Sequence, residues 1–262
     1  MMKKNKRNNP KEIGFKLGII SLVYIAMLLV IAPFFKNQFI AYKIQSTNYV
    51  LNTGSTSSKN NDLVEEIQPP TLHDAWLLAQ RKQPIEANGK ISIPELNIDL
   101  PIFSELSNSN LYLGAVAMYP DRNYQAENIV LLGHHLRSSQ LLFGPLLHSK
   151  QGQRIYLSLH NHFLAYEIVQ TTIVDQTNTS VLENKGRSDL TLITCDVPTY
   201  TEKRFVVQAK LLKNLQEKEL EKVIELRKVK PKPKKIMWVL YAPILLLLCL
   251  FVLTGFSLWK LL

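Results

Sequence analysis

Two long apolar runs constrain this chain more than any other feature of its sequence. The first, residues 17–34, carries no charged side chain and follows an N-terminus rich in lysine and arginine. The second, Ile236–Leu258, would extend about 34 Å as an α-helix at roughly 1.5 Å per residue, which is enough to cross the core of a bilayer. The runs therefore predict transmembrane helices over residues 17–35 and 236–259.

The basic residues before the first run predict a cytoplasmic N-terminus. Residues 1–16 and 260–262 would then be cytoplasmic, and the residues between the spans would lie outside the cell. A cleaved signal peptide is the alternative, but the first run is longer than the apolar core of such a peptide. The basic segment Arg227–Lys235 opposes this topology, since positive charge is usually retained inside. We keep the two-span prediction because the first helix usually sets the orientation.

The net charge of +10 is carried by the flanks of the chain. Residues 85–213 contain 11 Lys and Arg against 12 Asp and Glu, a net charge of −1. A nucleic-acid-binding fold needs a basic patch on its own surface, so this class of function is excluded. The basic flanks instead favour contact with anionic lipid or wall polymers.

Between the spans, the sequence divides into a linker, a strand-rich domain and a stalk. Residues 36–84 are predicted to be a solvated linker with a short helix from Thr71 to about Lys82, and residues 214–235 a charged helical stalk. Residues 85–213 repeatedly alternate apolar and polar side chains, as half-buried strands do. At least six such stretches and no convincing long helix predict an all-β barrel or sandwich.

Three residue types in this domain can support cysteine chemistry. Cys195 is the only cysteine outside the predicted spans, and a lone cysteine is more often a buried packing residue than a nucleophile. His134 and Cys195 each end a predicted strand, and Arg204 opens the strand that follows the Cys195 loop. An arginine in that position is expected beside Cys195 across an antiparallel pair. The spacing does not place His134 relative to the other two.

The sequence TLITC at residues 191–195, with an arginine nine residues later and GHH at residues 133–135 upstream, resembles the sortases. The resemblance covers roughly Ile91–Leu211. It implies a closed β-barrel of about eight strands with short helices, and a membrane-anchored cysteine transpeptidase of Gram-positive bacteria. It therefore favours the nucleophile over the packing interpretation of Cys195.

The resemblance also implies a role for each site residue. Cys195 would attack the Thr–Gly bond of an LPxTG-like sorting signal and form a thioacyl intermediate. His134 would act as general acid and base, and Arg204 would donate to the substrate carbonyl and the oxyanion. Thr194 would contribute to the oxyanion site. His135 is the alternative to His134, since neighbouring strand residues face opposite ways.

Two acceptor amines remain open. The GHH, LFGPL and TLITCD segments resemble class A sortases, which transfer surface proteins to the cell-wall precursor lipid II. The second apolar run resembles class C, the pilin polymerases, which use a pilin lysine. The lid tripeptide of class C has no clear counterpart, since Asp74–Trp76 lacks the proline. A noncatalytic membrane-tethered binding barrel is a distant third interpretation, because it leaves the free thiol unexplained.

No cofactor or metal is expected. His160 and His162 flank a predicted hairpin turn and lack further ligands nearby in sequence. Some sortases bind calcium, and Glu105, Asp175 and Glu183 are the candidate ligands here, but the thin acidic density does not favour such a site.

Overall fold

The computed structural model describes residues 14–15, 17–29, 32, 49–51, 80, 85–136, 140–160 and 162–212. The chain divides into two units, residues 40–230 and residues 1–39 with 231–262. In the unit that contains the termini, residues 17–29 are helical. Among the described residues, no helix is both long and apolar enough to cross a membrane. The predicted second span and stalk lie outside the described residues, as does the linker apart from residues 49–51 and 80.

The described residues of the larger unit lie mainly in strands. In chain order these are β1 Tyr49–Leu51, β2 Ile85–Ala87, β3 Gly89–Ile93, β4 Ile98–Phe103, β5 Ala115–Ala117, β6 Ile129–Leu132, β7 Arg154–Leu159, β8 His162–Asp175, β9 Asp189–Cys195 and β10 Lys203–Leu211. Strands β3 to β10 form a closed barrel in the order β10-β8-β7-β3-β4-β5-β6-β9. The predicted eight-stranded closed barrel is confirmed.

The connections contain the short helices that the sortase resemblance implies. In residues 85–136, 140–160 and 162–212 they are one α-helical turn, Asn108–Leu111, and three short 3₁₀ helices at Pro94–Leu96, Gly144–His148 and Thr179–Leu182. The α-helical turn begins where the Ser107 side chain accepts a hydrogen bond from the Asn110 amide at 3.3 Å. Two of the 3₁₀ helices have a proline in their first turn. Proline suits this position because its missing N–H is not needed there.

Alternation along the strands gives the barrel wall two distinct faces. Leu131, Leu192 and Val207 lie side by side in the register of β6, β9 and β10 and are fully buried. On each strand, the residue next to these in sequence points to the opposite face, as the period of two requires. On that opposite face, Val130, Ile193 and Val206 form a second buried group.

This second group is covered by residues from the connections. Its core is Val130, Ile193 and Val206, and the partly buried side chains packed against it are Met118, Leu132, Val174, Val181 and Leu182. We call these eight residues the outer apolar cluster. Since Val181 and Leu182 belong to the β8–β9 connection, that connection lies over the wall formed by β6, β9 and β10.

The linker contains a strand that the sequence analysis did not predict. Tyr49–Leu51 pairs in parallel with Ile85–Ala87, and Tyr49 and Leu51 pack against a buried cluster that includes Phe103 and Val116. Burial, together with the carboxylate of Asp99, raises the pKa of the Tyr49 hydroxyl to about 12. At least this part of residues 36–84 therefore belongs to the domain and is not a solvated linker.

Candidate active site

Cys195 and Arg204 face each other across the antiparallel strands β9 and β10. Their Cα atoms are paired in the register, and Ile193 pairs with Val206 two residues further along. Directly paired residues project from the same face of a sheet. Cys195 and Arg204 therefore lie on the face of the outer apolar cluster, as neighbours, which agrees with the position expected from the sequence.

Strand β6 brings His134 to the other side of Cys195. Strands β6 and β9 are parallel, with pairs from Ile129 with Leu190 to Leu132 with Ile193. The strand ends at Leu132, two residues before the predicted end, but the Gly133 amide still donates to the Ile193 carbonyl at 3.1 Å. His134 follows, and the difference in residue number between His134 and Cys195 is the same as for every pair in this ladder. The relation that sequence spacing could not supply is thus set by a parallel pairing.

The side chain of His134 is buried and stacked on an aromatic ring. Its ring lies 5.4 Å from that of Tyr112, centre to centre, with 20° between the planes. Its Nε2 is buried and has no hydrogen-bond partner within the described part of the chain. Burial lowers the pKa of His134 to about 4, because the charged imidazolium would lose its hydration. His134 is therefore a neutral imidazole in the free protein at pH 7.

His135 has a different contact. Its Nδ1 lies 3.0 Å from the backbone oxygen of Cys195, and the residue also forms an isolated bridge with Leu142. A carbonyl oxygen only accepts, so Nδ1 carries the proton of this hydrogen bond. His135 therefore ties the segment after β6 to the end of β9.

The thiol of Cys195 is half-buried and reduced. Burial raises the pKa of the Cys195 thiol, the Arg204 guanidinium opposes this rise, and the Asp196 carboxylate adds to it. The free site at pH 7 consequently holds a neutral thiol and a neutral imidazole. Any thiolate would be formed by proton transfer within the site.

The guanidinium of Arg204 is held by acceptors on both sides of its strand. Its Nη1 donates to the carbonyls of Thr201 at 2.8 Å and Lys203 at 3.0 Å. Its Nη2 donates to the Gln176 Oε1 at 2.8 Å. Gln176 lies just after β8, and its backbone amide also donates to the Glu202 carbonyl at 2.7 Å. The resting arginine is thus oriented by neutral acceptors, which it can exchange for a substrate carbonyl without separating an ion pair.

Thr194 lies on the opposite face of β9 from Cys195. It pairs with Phe205, its side chain is buried, and its Oγ1 has no hydrogen-bond partner in the described residues. Because adjacent strand residues alternate, its hydroxyl points away from the thiol. The oxyanion contribution expected of Thr194 would have to come from its backbone, and it stays a prediction.

Two of the other ionisable candidates, His160 and His162, lie at the turn between β7 and β8. His160 forms the turn between β7 and β8, with φ at 46°, and Leu159 pairs directly with His162 across it. In the described part of the chain, no three His, Cys, Asp or Glu side chains are grouped closely enough to hold a metal. The carbonyl of Glu183, one of the calcium candidates, accepts a hydrogen bond from Asn128.

Three supporting residues were not singled out from the sequence: Tyr112, Phe143 and Gln176. Gly133 offered a signal for one of them, because a Cβ at this position would lie 2.5 Å from the Phe143 ring. The Phe143 amide also donates to the His134 carbonyl at 3.1 Å. Glycine thus allows the LFGPL segment to pack closely on the backbone that presents His134.

Comparison with known proteins shows the family. The sequence profile of the sortase domain matches residues 91–212. Sortase A of Listeria monocytogenes is 33% identical over 202 residues, which cover 75% of this chain and 90% of that protein. The chain belongs to the sortase family. Sortases are cysteine transpeptidases, and this chain is one of them.

Two further similar proteins are a second relative and a solved structure. Sortase A of Streptococcus agalactiae is 32% identical over 229 residues, covering 79% of this sortase and 90% of the relative. The solved structure of Listeria monocytogenes sortase A is 38% identical and covers 52% of this chain and 94% of its own, with a TM-score of 0.48.

Proposed function

We propose that this sortase is a class A-like enzyme. It would cleave the Thr–Gly bond of LPxTG-like sorting signals and transfer the surface protein to the amine of a cell-wall precursor such as lipid II. The two relatives at 32% and 33% identity are both sortase A proteins, which supports the class. The observation that carries the chemistry is the register of β9. This strand has Arg204 opposite Cys195 on one side and the parallel strand that leads to His134 on the other.

In the first half-reaction, the proton of the Cys195 thiol passes to Nε2 of His134. The thiolate attacks the threonine carbonyl carbon, and the Arg204 guanidinium donates to the developing oxyanion. The C–N bond then breaks, and the His134 imidazolium protonates the departing glycine amine. The products of this half-reaction are a thioester on Cys195 and a peptide with a free glycine N-terminus.

In the second half-reaction, the acceptor amine attacks the thioester. Neutral His134 takes the proton that the amine loses, and the Cys195 sulfur leaves and is reprotonated. A neutral resting imidazole suits this step, because it can accept a proton at pH 7.

The partly buried side chains of the outer apolar cluster would receive the leucine of the sorting signal. It shares a face of the sheet with Cys195 and Arg204 through the pairs Cys195–Arg204 and Ile193–Val206. Partly buried Val181 and Leu182 border it from the β8–β9 connection. An extended peptide on this face would place an apolar side chain on the cluster and its threonine carbonyl at the thiol.

The apolar runs of the sequence support a membrane-anchored enzyme with its barrel outside the cell, where sorting signals and wall precursors meet. The alternative acceptor is a pilin lysine, as in the class C polymerases. The observation that favours it is the second apolar run, Ile236–Leu258. No cofactor takes part in either proposed reaction.

The test uses the full-length protein in detergent and a fluorogenic peptide that contains LPETG. The wild-type protein is expected to cleave the peptide and to show a thioacyl adduct on Cys195 by mass spectrometry. Cys195→Ala should abolish both with an unchanged circular dichroism spectrum. A well-folded wild-type protein that gives neither cleavage nor adduct would contradict the proposal. Competition between a diaminopimelate-type peptide and a pilin-lysine peptide for the adduct then decides between the two acceptors.

A further inference from the structure

The connection between β8 and β9 forms one border of the outer apolar cluster. It contains the 3₁₀ helix Thr179–Leu182, and both Val181 and Leu182 pack against the cluster. Four residues offer little intrinsic stability, because a helical turn fixes many dihedral angles for few hydrogen bonds. The position of these two side chains therefore depends on what holds the connection.

Arg122 binds this connection from the segment between β5 and β6. Its Nη1 donates to the Leu182 carbonyl at 3.1 Å and to the Asn128 carbonyl at 2.9 Å. The guanidinium carbon lies 3.8 Å from the centre of the Tyr119 ring, within cation–π distance. One side chain thus links the last residue of the 3₁₀ helix to the residue that precedes β6.

Asn128 makes a second link to the same connection. Its side chain is buried, its Nδ2 donates to the Glu183 carbonyl at 3.2 Å, and its Oδ1 accepts from the Thr191 hydroxyl at 3.0 Å. Thr191 is a buried residue of β9. Asn128 therefore couples the connection to β6 and β9, the strands that lead to His134 and to Cys195.

A third contact continues this pattern at the surface. The Asn184 amide donates to the Glu127 carboxylate at 2.6 Å, and the other oxygen of that carboxylate accepts from the Asn123 backbone at 2.7 Å. Contacts from the segment 122–128 thus reach Leu182, Glu183 and Asn184 in succession.

We propose that Arg122 and Asn128 are positioning residues that hold Val181 and Leu182 in place before substrate arrives. They fix one wall of the leucine subsite without contacting the substrate. The physical basis is preorganisation, since a wall that is already ordered removes the entropic cost of ordering it during binding. The assignment of the wall as a leucine subsite rests on the function proposed above, whereas the tether itself does not.

The experiment compares full-length wild type with Arg122→Ala, Arg122→Lys and Asn128→Ala. Arg187→Ala is the matched control, because Arg187 lies on the same connection and its exposed side chain binds Asp189 at 2.9 Å. The substrates are matched peptides that contain LPETG or APETG. The first readout is hydrogen exchange of residues 177–184, with the amides of β3 and β7 as an internal reference for global unfolding.

We expect Arg122→Ala and Asn128→Ala to accelerate exchange in residues 177–184 only. The KM for the LPETG peptide should rise about ten- to a hundred-fold for Arg122→Ala, the range for hydrogen bonds from a charged donor, with kcat within about threefold of wild type. The preference for LPETG over APETG should shrink by a similar factor. Arg122→Lys should recover part of this preference, because lysine keeps the charge but lacks the planar guanidinium group of arginine. Arg187→Ala should match wild type.

Unchanged exchange in residues 177–184 of both alanine variants would overturn the tether. Faster exchange with an unchanged preference for leucine would overturn the role in the subsite. Exchange that rises equally in β3 and β7 would show a general loss of stability and would also contradict the proposal. If the wild-type protein cleaves neither peptide, the proposed function fails, and the exchange measurement alone decides the tether.

Discussion

The ring of His135 is hydrogen-bonded to Cys195, with Nδ1 3.0 Å from the backbone oxygen of the cysteine. The adjacent His134 instead has its Nε2 buried without a partner among the described residues. The two neighbouring histidines therefore have different contacts. His135 donates its Nδ1 proton to the backbone, whereas the ring of His134 is stacked on Tyr112.

This difference predicts unequal effects of removing each ring. His134→Ala should lower kcat/KM for LPETG cleavage about 10²- to 10⁴-fold, the usual contribution of a general acid and base. His135→Ala removes one hydrogen bond to the backbone and should cost about two- to tenfold. Steady-state kinetics of both variants would test this. Equal losses, or a larger loss for His135→Ala, would contradict the assignment of proton transfer to His134.

Burial of His134 predicts a loss of stability in mild acid. Its pKa is about 4 in the folded protein and near 6.5 in the unfolded chain. Between these values the unfolded state binds more protons, so the stabilisation is complete above pH 6.5 and is lost as the pH falls through 4. The loss by pH 4 should be about 3 kcal/mol.

The measurement is the free energy of unfolding by urea at pH 7 and pH 4, for wild type and His134→Asn. Unfolding is monitored through the amide exchange of β3 and β7. The variant lacks this titration, so its free energy of unfolding should fall less between the two pH values. Parallel losses in the two proteins would show that acid acts through other groups.

The electrostatics of Cys195 predict a slow thiol at neutral pH. Its pKa is raised above the ordinary value near 9 by burial, and Arg204 limits the rise. Alkylation of Cys195 by iodoacetamide, followed at its own peptide by mass spectrometry, should therefore have a midpoint above pH 9. Arg204→Ala should move that midpoint higher, and Arg204→Lys should restore it in part. A midpoint below 9 in the wild type would contradict this account.

The contact between Gln176 and Arg204 suggests a substitution that would immobilise the guanidinium of Arg204. The Gln176 Oε1 is a neutral acceptor that binds Arg204 Nη2 at 2.8 Å. Gln176→Glu would convert this contact to an ion pair and should lower kcat about tenfold, with partial recovery at high salt. Gln176→Ala should stay within about threefold of wild type. If both variants behave alike, the ion pair is not the cause.

The period of two in the sequence was sufficient to predict the strands that carry the site. It placed Cys195 at the end of one strand and Arg204 at the start of the next, and an antiparallel pair joined by a short connection then brings them together. His134 could not be placed in this way, because β6 and β9 are parallel and far apart in sequence. No local pattern specifies the register of such a pair.

The polar residues that support the site were harder to foresee. Arg122, Asn128 and Gln176 lie outside the strands, and each acts through a carbonyl or a side chain that only the folded chain brings near. Strand β1 was missed for a related reason. Three residues within a polar segment are too few to show a period, and only docking on the cluster around Phe103 reveals the strand.

Strand β1 also bears on how the enzyme should be produced for study. Leu132 belongs to the outer apolar cluster beside Cys195 and also packs against the cluster that receives Tyr49 and Leu51. A recombinant fragment trimmed to the homologous residues 91–212 would lose β1, β2 and the first residues of β3, and would expose Phe103 and Val116 to water. Fragments that begin ahead of Tyr49 should be more soluble, and kinetic constants from shorter ones would describe an enzyme with a disturbed outer apolar cluster.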